Sequence, residues 1–404
     1  MIGLYFGTAL FIMKEEIAVK EYYLSELLEL KYGKDHKTLG NGTIPCYGSG
    51  GVIRYVNNSL YEKESILIPR KGSLNNLFFI NKPFWTVDTL FWSIINEKIV
   101  LPRYLFYKLK NLNLSSFNEG SAVPSLTTKT LNKISIKIHN LQLQERIISI
   151  LSSLDDKIEL NKKINQNLEE IAQTLFKRWF IDFEFPNEEG KPYKSSGGKM
   201  SESELEEIPV GWRVAKLGDF IKFIKGKKPK ILVEKEDGIN KFKYLTIKSI
   251  NNEEENYCSD EKVIFVSKNE IMMVMDGASS GDIYIGKEGV LGSTLSKIEI
   301  DKSIDWSIVY YLLNYYKNEI KQHNTGSAIP HTDKNYIENI TFFLPNNKKI
   351  NYFSKIFKSI LLKKIALEDE IYKLIELRDY LLPRLMSGEI DISNLKISEI
   401  SNSD

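Results

Sequence analysis

The sequence predicts an α+β protein with two similar domains, each followed by a long helix. Three observations support this fold class. A short motif recurs half a chain apart, a heptad pattern of apolar residues follows each copy, and short apolar runs separated by turn-forming residues precede each helix. With 404 residues, the chain is long enough for about two to four folding units with sizeable cores.

The overall composition is that of a globular protein. Apolar residues make up 42% and charged residues 27%, which excludes a wholly disordered or fibrous chain. Lys and Arg number 55 against 53 Asp and Glu, so the formal net charge is only +2. A uniformly basic coat is excluded, and a nucleic-acid binder of this composition would have to concentrate its positive charge locally.

The beginning of the chain is one apolar stretch over residues 2–13. It is too short to span a bilayer and lacks a basic leader, so neither a membrane segment nor a signal peptide is expected. Two alternatives stay open. In the first, translation starts at Met13 and residues 1–13 are an upstream extension; in the second, residues 2–11 form an added strand or helix on the first domain.

The two globular regions are predicted at residues 14–140 and 208–345. Their apolar runs are short and bounded by Gly, Asn and Pro, which is typical of strands joined by tight turns; the clearest runs are 65–69, 77–80, 134–138, 263–266, 271–275, 283–285 and 340–344. A helical pattern covers residues 102–109 in the first region and 306–319 in the second. Each region is therefore predicted to be an α+β domain.

A repeated motif indicates that the second region duplicates the first. Gly120-Ser121-Ala122-Val123-Pro124 recurs 206 residues later as Gly326-Ser327-Ala328-Ile329-Pro330. A strand-like run and a long helical pattern follow each copy at the same offset. The repeating unit is about half the chain, far longer than a solenoid repeat.

Two helices, at residues 141–183 and 346–390, are predicted to form a coiled coil. With Gln144 as position a, eight of eleven a and d positions are apolar, and nine of eleven are apolar 206 residues later. The predicted seam consists of Ile147, Leu151, Leu154, Ile158, Leu168, Leu175, Phe353, Phe357, Ile360, Leu367, Ile371 and Leu374. Pro383 is expected to end or kink the second helix.

Four polar residues interrupt the seam: Asn161, Asn165, Lys364 and Arg378. A buried Asn at such a position can fix the register and the number of helices that associate. The alternative is that these positions contact water or another protein, and the sequence leaves both possibilities open.

Two segments are predicted to lie outside the domains and helices. Residues 184–207 combine Gly, Ser, Pro and charged residues, which indicates an exposed linker, and residues 391–404 form a C-terminal tail. The second domain begins at Ile208-Pro209-Val210-Gly211-Trp212.

No catalytic or metal-binding motif is evident, so no catalytic residue, metal ligand or cofactor is predicted in this chain. There is no Walker-type phosphate loop, and the two cysteines and four histidines have no zinc spacing or triad context. Asp182-Phe183-Glu184 is interpreted as a solvated loop rather than a nuclease pair. Cys46 and Cys258 are too few for a disulfide framework, which fits a reducing compartment.

Loops in both domains carry Lys or Arg beside Gly, Ser and aromatic residues. Cationic side chains and free N–H groups of glycine loops suit phosphates, and Ser and Arg can contact base edges. The candidate DNA-binding residues are Lys31, Lys34, Tyr47, Ser49, Arg70, Lys71, Ser73 and Ser121 in the first domain and Lys225, Lys227, Lys228, Lys248, Ser279 and Ser327 in the second. Each loop alone could be an ordinary solvated hairpin, but the pattern recurs in both domains.

The segments around both helices resemble the specificity subunits of type I restriction-modification enzymes. Residues 138–147 (IHNLQLQERI) are similar to the family's entry into its first conserved helix, and residues 164–180 (INQNLEEIAQTLFKRWF) are typical of that helix. Residues 208–212 resemble the start of a second target recognition domain, and residues 377–390 (LRDYLLPRLMSGEI) the end of the second helix. His139 and Asn140 depart from the family pattern by replacing its paired prolines.

The resemblance implies two target recognition domains, each followed by a conserved helix, with the helices packing as an antiparallel coiled coil. Each domain would recognise half of a bipartite, asymmetric site on double-stranded DNA. Two modification subunits would supply S-adenosylmethionine and adenine methylation, and two restriction subunits would use ATP and Mg²⁺ for cleavage. The chain itself would be non-catalytic and cytoplasmic, without a membrane partner.

Two other functions are compatible with the residues alone. A coiled-coil adaptor that binds other proteins would show the same heptads, and salt-dependent DNA binding by the purified complex would distinguish a DNA-binding subunit from it. A degenerate nuclease would show activity of the lone chain with a divalent metal.

Overall fold

The computed structural model describes residues 19–259, 263–326 and 328–395, and these residues divide between two compact units. The first unit comprises residues up to Ile158 and from Lys373 onward, and the second comprises Glu159–Tyr372. The predicted upstream extension, the alternative start at Met13 and the end of the predicted tail lie outside the described residues. Of the helices in the described ranges, none has the length and apolar character needed to cross a membrane.

The first domain and the helix after it contain nine strands and four α-helices. In chain order they are β1 (Lys20–Tyr23), α1 (Leu24–Leu27), β2 (Leu28–Tyr32), β3 (Asn41–Gly48), β4 (Gly51–Val56), β5 (Ser65–Pro69), β6 (Phe78–Ile80), β7 (Trp85–Thr86), β8 (Leu90–Ile95), α2 (Pro102–Lys110), α3 (Thr128–Asn132), β9 (Ser135–Ile138) and α4 (Leu141–Phe176). A π-helical turn over Lys177–Ile181 follows α4.

The remaining described elements follow the same plan. They are β10 (Met200–Ser201), β11 (Ile208–Pro209), β12 (Arg213–Lys216), β13 (Ile221–Lys225), β14 (Phe242–Leu245), α5 (Ile247–Ile250), β15 (Tyr257–Cys258), β16 (Phe265–Val266), β17 (Ile271–Val274), β18 (Ile283–Tyr284), β19 (Gly289–Leu291), β20 (Leu295–Ile300), α6 (Trp306–Tyr315), α7 (Lys317–Gln322), α8 (Lys334–Glu338), β21 (Thr341–Leu344) and α9 (Asn347–Ser387).

Sheet order confirms that the two domains share one fold. The first domain has a four-stranded sheet of order β2-β8-β5-β6, and the second has the corresponding order β13-β20-β17-β18. A second sheet contains β4-β3-β7 in the first domain and β15-β14-β19-β16 in the other, and each contains one parallel pair, β3-β7 and β14-β19. The first and last strands pair as β1-β9 and as β12-β21.

Each long helix contributes one of its ends to the core of the first unit and the other end to the core of the second unit. In the first unit, Ile147 and Leu151 near the start of α4 join a buried cluster with Leu385 and Met386 near the end of α9. In the second unit, the end of α4 packs against the start of α9. The helix segments therefore pair antiparallel within each unit, as the resemblance implied.

Aromatic residues dominate the second of these helix contacts. Phe176 and Phe180 stack with ring centroids 4.7 Å apart, and Trp179 lies 4.9 Å from Phe353. The ring of Phe357 lies 6.1 Å from that of Phe176. Because each ring buries a large apolar area, this cluster is a major source of stability in the second unit.

The entry to α4 is built around buried polar groups. The Tyr104 hydroxyl lies 2.7 Å from Nδ1 of His139, and Nε2 of Gln144 donates to the His139 carbonyl over 2.8 Å. Burial, reinforced by repulsion from Lys108, lowers the pKa of His139 to about 4. His139 is therefore neutral at neutral pH, and its partners satisfy it inside the core.

Three details differ from the sequence-based expectation. The helix expected at 306–319 is interrupted at Tyr316, whose backbone angles leave the helical region between α6 and α7. Helix α9 includes Pro383 and ends four residues after it, at Ser387, which is three residues before the predicted end at 390. Within the segment expected to be an exposed linker, Phe185 is buried and stacks on Trp212 at 5.3 Å.

Candidate nucleic-acid interface

Three loops of the first domain converge at one end of its strands. The N–H of Lys34 donates to the Thr86 carbonyl over 2.8 Å, and the N–H of Val87 donates to the Tyr47 carbonyl over 3.0 Å. These bonds bring the loop after β2 and the end of β3 against the segment that joins β7 to β8.

Two further loops join this group through the backbone of Gly72. Its N–H donates to the Pro124 carbonyl over 3.0 Å, and the N–H of Leu126 donates to the Arg70 carbonyl over 2.9 Å. Gly72 has φ +90°, a conformation that suits glycine. The Asn76 amide donates to the Ser49 carbonyl over 2.7 Å, so the loop at 70–73 lies between the loops at 47–51 and 120–125.

Arg70 is the best positioned cation of this group. Its guanidinium lies 5.4 Å from the centre of the Tyr32 ring and donates to the Asp88 carbonyl over 3.3 Å. The aromatic face and the carbonyl hold the guanidinium in place while it stays partly exposed. Lys34, on the loop after β2, and Lys71, which directly follows Arg70, are both exposed.

The structure brings together seven of the eight candidates in the first domain. The loops that converge carry Lys34, Tyr47, Ser49, Arg70, Lys71, Ser73 and Ser121. Lys31 is different, because it lies within β2 and forms an ion pair with Glu29 two residues away. Successive strand residues point to opposite faces, so Lys31 does not share the face of Tyr32.

The second domain repeats this backbone framework. The N–H of Lys227 donates to the Leu291 carbonyl over 3.2 Å, and the N–H of Gly292 donates to the Leu245 carbonyl over 2.9 Å. The N–H of Gly277 donates to the Pro330 carbonyl over 2.9 Å, as Gly72 does to Pro124. Gly277 also has positive φ, at +102°.

The side chains on this second framework form a charged group of three residues, of which only Lys225 was a predicted candidate. Nδ1 of His331 lies 2.7 Å from one carboxylate oxygen of Asp276, and Nζ of Lys225 lies 3.4 Å from the other. Partial burial opposes ionisation of Asp276, but its bonds to His331 and Lys225 outweigh that effect and lower its pKa. Asp276 is therefore a carboxylate at neutral pH.

The other candidates in the second domain have varied surroundings. Lys227 and Lys228 are exposed in the loop after β13. Lys248 lies on α5 and pairs with Glu254 at 3.7 Å, while Ser279 is half-buried in the loop after β17. Ser327 lies outside the described residues.

Sequence reasoning missed the roles of Tyr32 and His331. Tyr32 lies between the candidates Lys31 and Lys34, and nothing in the local sequence indicates that the Arg70 guanidinium lies over its ring. His331 follows the second repeat motif directly and aligns with Ser125 at the same offset of 206 residues. Its place directly after the repeated motif was the sequence feature that could have identified His331 as a candidate. In the described ranges, no group of three or more His, Cys, Asp or Glu residues could hold a metal ion.

None of the twelve predicted seam residues is exposed. Six are buried and six are half-buried; the buried ones are Ile147, Leu151, Ile158, Phe353, Phe357 and Leu367, and the half-buried ones are Leu154, Leu168, Leu175, Ile360, Ile371 and Leu374. Next to the half-buried positions Leu175 and Ile360, the structure buries Phe176 and Leu361. The burial shifts by one residue because a nearly straight helix drifts against a strict seven-residue repeat.

The polar residues in the seam have two different environments. Lys364 forms an ion pair with Glu169, and Arg378 contacts Asp155 at 3.0 Å, so both cations pair with the other helix. Asn161 is 1% exposed, and its Nδ2 has no hydrogen-bond partner among the described residues. An unsatisfied buried amide costs stability, and both interpretations of Asn161, fixing the register or contacting water or another protein, stay predictions.

The fold and the loops together define a class of protein: a duplicated α+β recognition domain, carried on two long helices that pair antiparallel. The sequence matches the family described as type I restriction modification DNA specificity domain twice, over residues 17–170 and 209–377. The chain therefore belongs to this family. It is a subunit that supplies DNA sequence specificity in type I restriction-modification.

Relatives and a solved structure agree with this assignment. The chain is 28% identical over 352 residues to the type I restriction enzyme MjaIX specificity subunit of Methanocaldococcus jannaschii, covering 83% of this chain and 80% of that protein. It is 25% identical over 400 residues to the HindI specificity subunit of Haemophilus influenzae, covering 80% and 85%. The crystal structure of a type I restriction-modification S subunit from M. genitalium has the same fold, with a TM-score of 0.65 at 16% identity, covering 93% of this chain and 97% of that one.

Proposed function

We propose that this chain binds a bipartite, asymmetric site on double-stranded DNA, with one half-site recognised by each domain. The observation that carries the proposal is the repeated loop framework with different side chains. The same backbone hydrogen bonds place Arg70 and Lys71 at the loop of the first domain, whereas in the second domain they place the buried Met275 and the partly exposed Asp276 there. Loops of the same shape but different chemistry suit two different base sequences.

Catalysis is assigned in this proposal to partner subunits. Two modification subunits would methylate adenine with S-adenosylmethionine, and two restriction subunits would use ATP and Mg²⁺ to translocate and cleave DNA in the cytoplasm. The relatives are named as specificity subunits of restriction enzymes, which supports a division of labour between chains. Near-neutral net charge is compatible with it, because partners can add positive charge around the DNA.

The helices supply surfaces on which partners could bind. In the second unit, Leu160 and Ile171 on α4 and Leu362 on α9 are all at least 41% exposed. In the first unit, Leu377 and Tyr380 on α9 are exposed as well. Exposed apolar residues in this number on two helices fit contacts with other subunits.

The experiment is to co-express the chain with its modification subunits in a host that lacks adenine methylation and to map methylated adenines across the genome. The expected motif has two different half-sites separated by a spacer in which any base is accepted. Omitting this chain while keeping the modification subunits should abolish methylation of the motif. A continuous or palindromic motif would contradict the proposal.

A binding measurement separates DNA recognition from the adaptor alternative. The assembled complex should bind its mapped site with an affinity that falls steeply as salt rises, by a log–log slope of about −0.9 for each phosphate contact. An adaptor for other proteins would show no such dependence on a DNA site.

A further inference from the structure

Lys71 and Asp276 occupy equivalent places in the two domains. Each precedes the glycine whose N–H bonds to a proline carbonyl, and each forms an isolated antiparallel bridge, Lys71 with Ser125 and Asp276 with His331. The first domain therefore presents a cation, and the second an anion, at the same point of the framework.

A carboxylate at this point cannot perform the task of a lysine. Phosphates repel it, so Asp276 does not suit contact with the DNA backbone. In the major groove, however, a carboxylate can accept a hydrogen bond from an exocyclic amino group, as presented by cytosine N4 and adenine N6. Guanine and thymine present only acceptors or a methyl group along that edge.

The surroundings of Asp276 fit base recognition better than a purely structural ion pair. Its side chain is 28% exposed, and the His331 imidazole that orients it is 50% exposed, so both reach the surface. Lys225 binds the other carboxylate oxygen at 3.4 Å and is itself 60% exposed, which makes it a weak restraint. The carboxylate is thus held in direction by His331 while a lone pair stays accessible to a base.

We propose that Asp276, positioned by His331, is a specificity-determining residue of the second domain, which accepts a hydrogen bond from an exocyclic amino group in one half-site. This proposal rests on the proposed function, since it assigns a role within DNA recognition. It also implies that the half-site recognised by the first domain has no such requirement at the corresponding base pair, where Lys71 stands.

The test uses the assembled complex and the mapped site, with each base pair of both half-sites replaced in turn. Asp276→Asn should lose about 5- to 150-fold discrimination at one base pair of one half-site and keep discrimination everywhere else. The matched control is Asp282→Asn in the same loop region. Asp282 pairs with Lys317 and Lys321, each at 2.8 Å, and its loss should leave specificity unchanged.

A second measurement keeps the proposal testable if the Asn variant folds poorly. The cytosine or adenine at the assigned position is replaced by an analogue without its amino group, 2-pyrimidinone or purine. The unmodified protein should then lose a similar factor in affinity, and the base that shows the loss distinguishes cytosine from adenine.

The outcomes separate this proposal from the broader one. Uniform weakening at all sequences, unchanged discrimination, or no loss with any amino-deleted base would overturn the role of Asp276 while bipartite recognition stood. If the unmodified complex itself showed no bipartite site, the proposed function would fail instead.

Discussion

Tyr32 and Lys225 stand at equivalent positions, because each ends the corresponding edge strand, β2 or β13, of its four-stranded sheet and precedes a glycine bonded to a leucine carbonyl. In the first domain, Tyr32 supports the guanidinium of Arg70; in the second, Lys225 pairs with Asp276. The backbone hydrogen bonds are shared, while the side chains at the loop ends differ in charge and shape. This separation lets one scaffold carry different recognition chemistry without changing its core.

The largest expected effect on the free energy of unfolding comes from the contacts between α4 and α9. Both units contain such a contact, but different residues form it in each. Phe357→Ala should destabilise the second unit by about 3–5 kcal/mol, and Leu151→Ala the first by about 2–5 kcal/mol, because each leaves a cavity in a buried cluster. Denaturant unfolding of the full chain measures both losses. Leu362→Ala, at a position 41% exposed on α9, is the control and should change stability by less than about 0.5 kcal/mol. Equal losses at all three positions would contradict this account of the helix packing.

The entries to the two long helices differ in how they respond to acid. His139 stands before α4, whereas Pro345 stands at the same offset before α9. The folded chain holds His139 with a pKa of about 4, below the value near 6.5 of an unfolded histidine. Between these values the unfolded state binds more protons, so the stability of the first unit is complete above pH 6.5 and falls as pH drops towards 4.

The expected loss at His139 is of the order of 3 kcal/mol across that pH range. Chemical unfolding at a series of pH values should show this decline for the natural chain and a flatter profile for His139→Asn. The same slope in both proteins would assign the acid sensitivity to other groups.

The close backbone contact behind each recognition loop should tolerate no side chain. A Cβ on Gly33 would lie 2.0 Å from the Val87 carbonyl oxygen, and one on Gly226 would lie 2.2 Å from that of Gly292. Gly33→Ala and Gly226→Ala should each cost about 1–3 kcal/mol and weaken recognition of one half-site only. Gly238→Ala, whose Cβ would meet nothing within 4 Å and which lies outside the candidate interface, is the matched control for both thermal unfolding and DNA binding. Loss of both half-sites from either glycine variant would argue against independent domains.

The smallest expected effects distinguish base contacts from phosphate contacts. Arg70→Gln should relax specificity in one half-site by about 5- to 150-fold, since a held guanidinium suits guanine. Lys227→Ala and Lys228→Ala should weaken binding at all sequences and reduce the salt slope by about one for each lost contact. Titrations of the complex at several salt concentrations measure both. Unchanged affinity and slope would remove these residues from the interface.

Much of the fold followed from local patterns in the sequence. The fully buried β5 was predicted over the residues that form it, because a continuous apolar run bounded by polar residues favours a buried strand. The strand before each long helix was predicted to within one residue. The second long helix was predicted over residues 346–390, and α9 ends at Ser387, one turn after Pro383; a kink at Pro383 stays a prediction. The interruption at Tyr316 between α6 and α7 did not follow from the sequence, because the apolar pattern continues through it.

The sequence by itself determined the duplicated α+β domains, the two long helices and the loops that carry the candidate DNA-binding residues. These features depend on periodicity and on an offset of 206 residues, which are properties of the chain order. Only the tertiary structure decided that Arg70 lies over Tyr32 and that Asp276 bonds to His331. Such pairs join residues separated by 38 and 55 positions, and no local pattern encodes which side chains meet when distant loops converge.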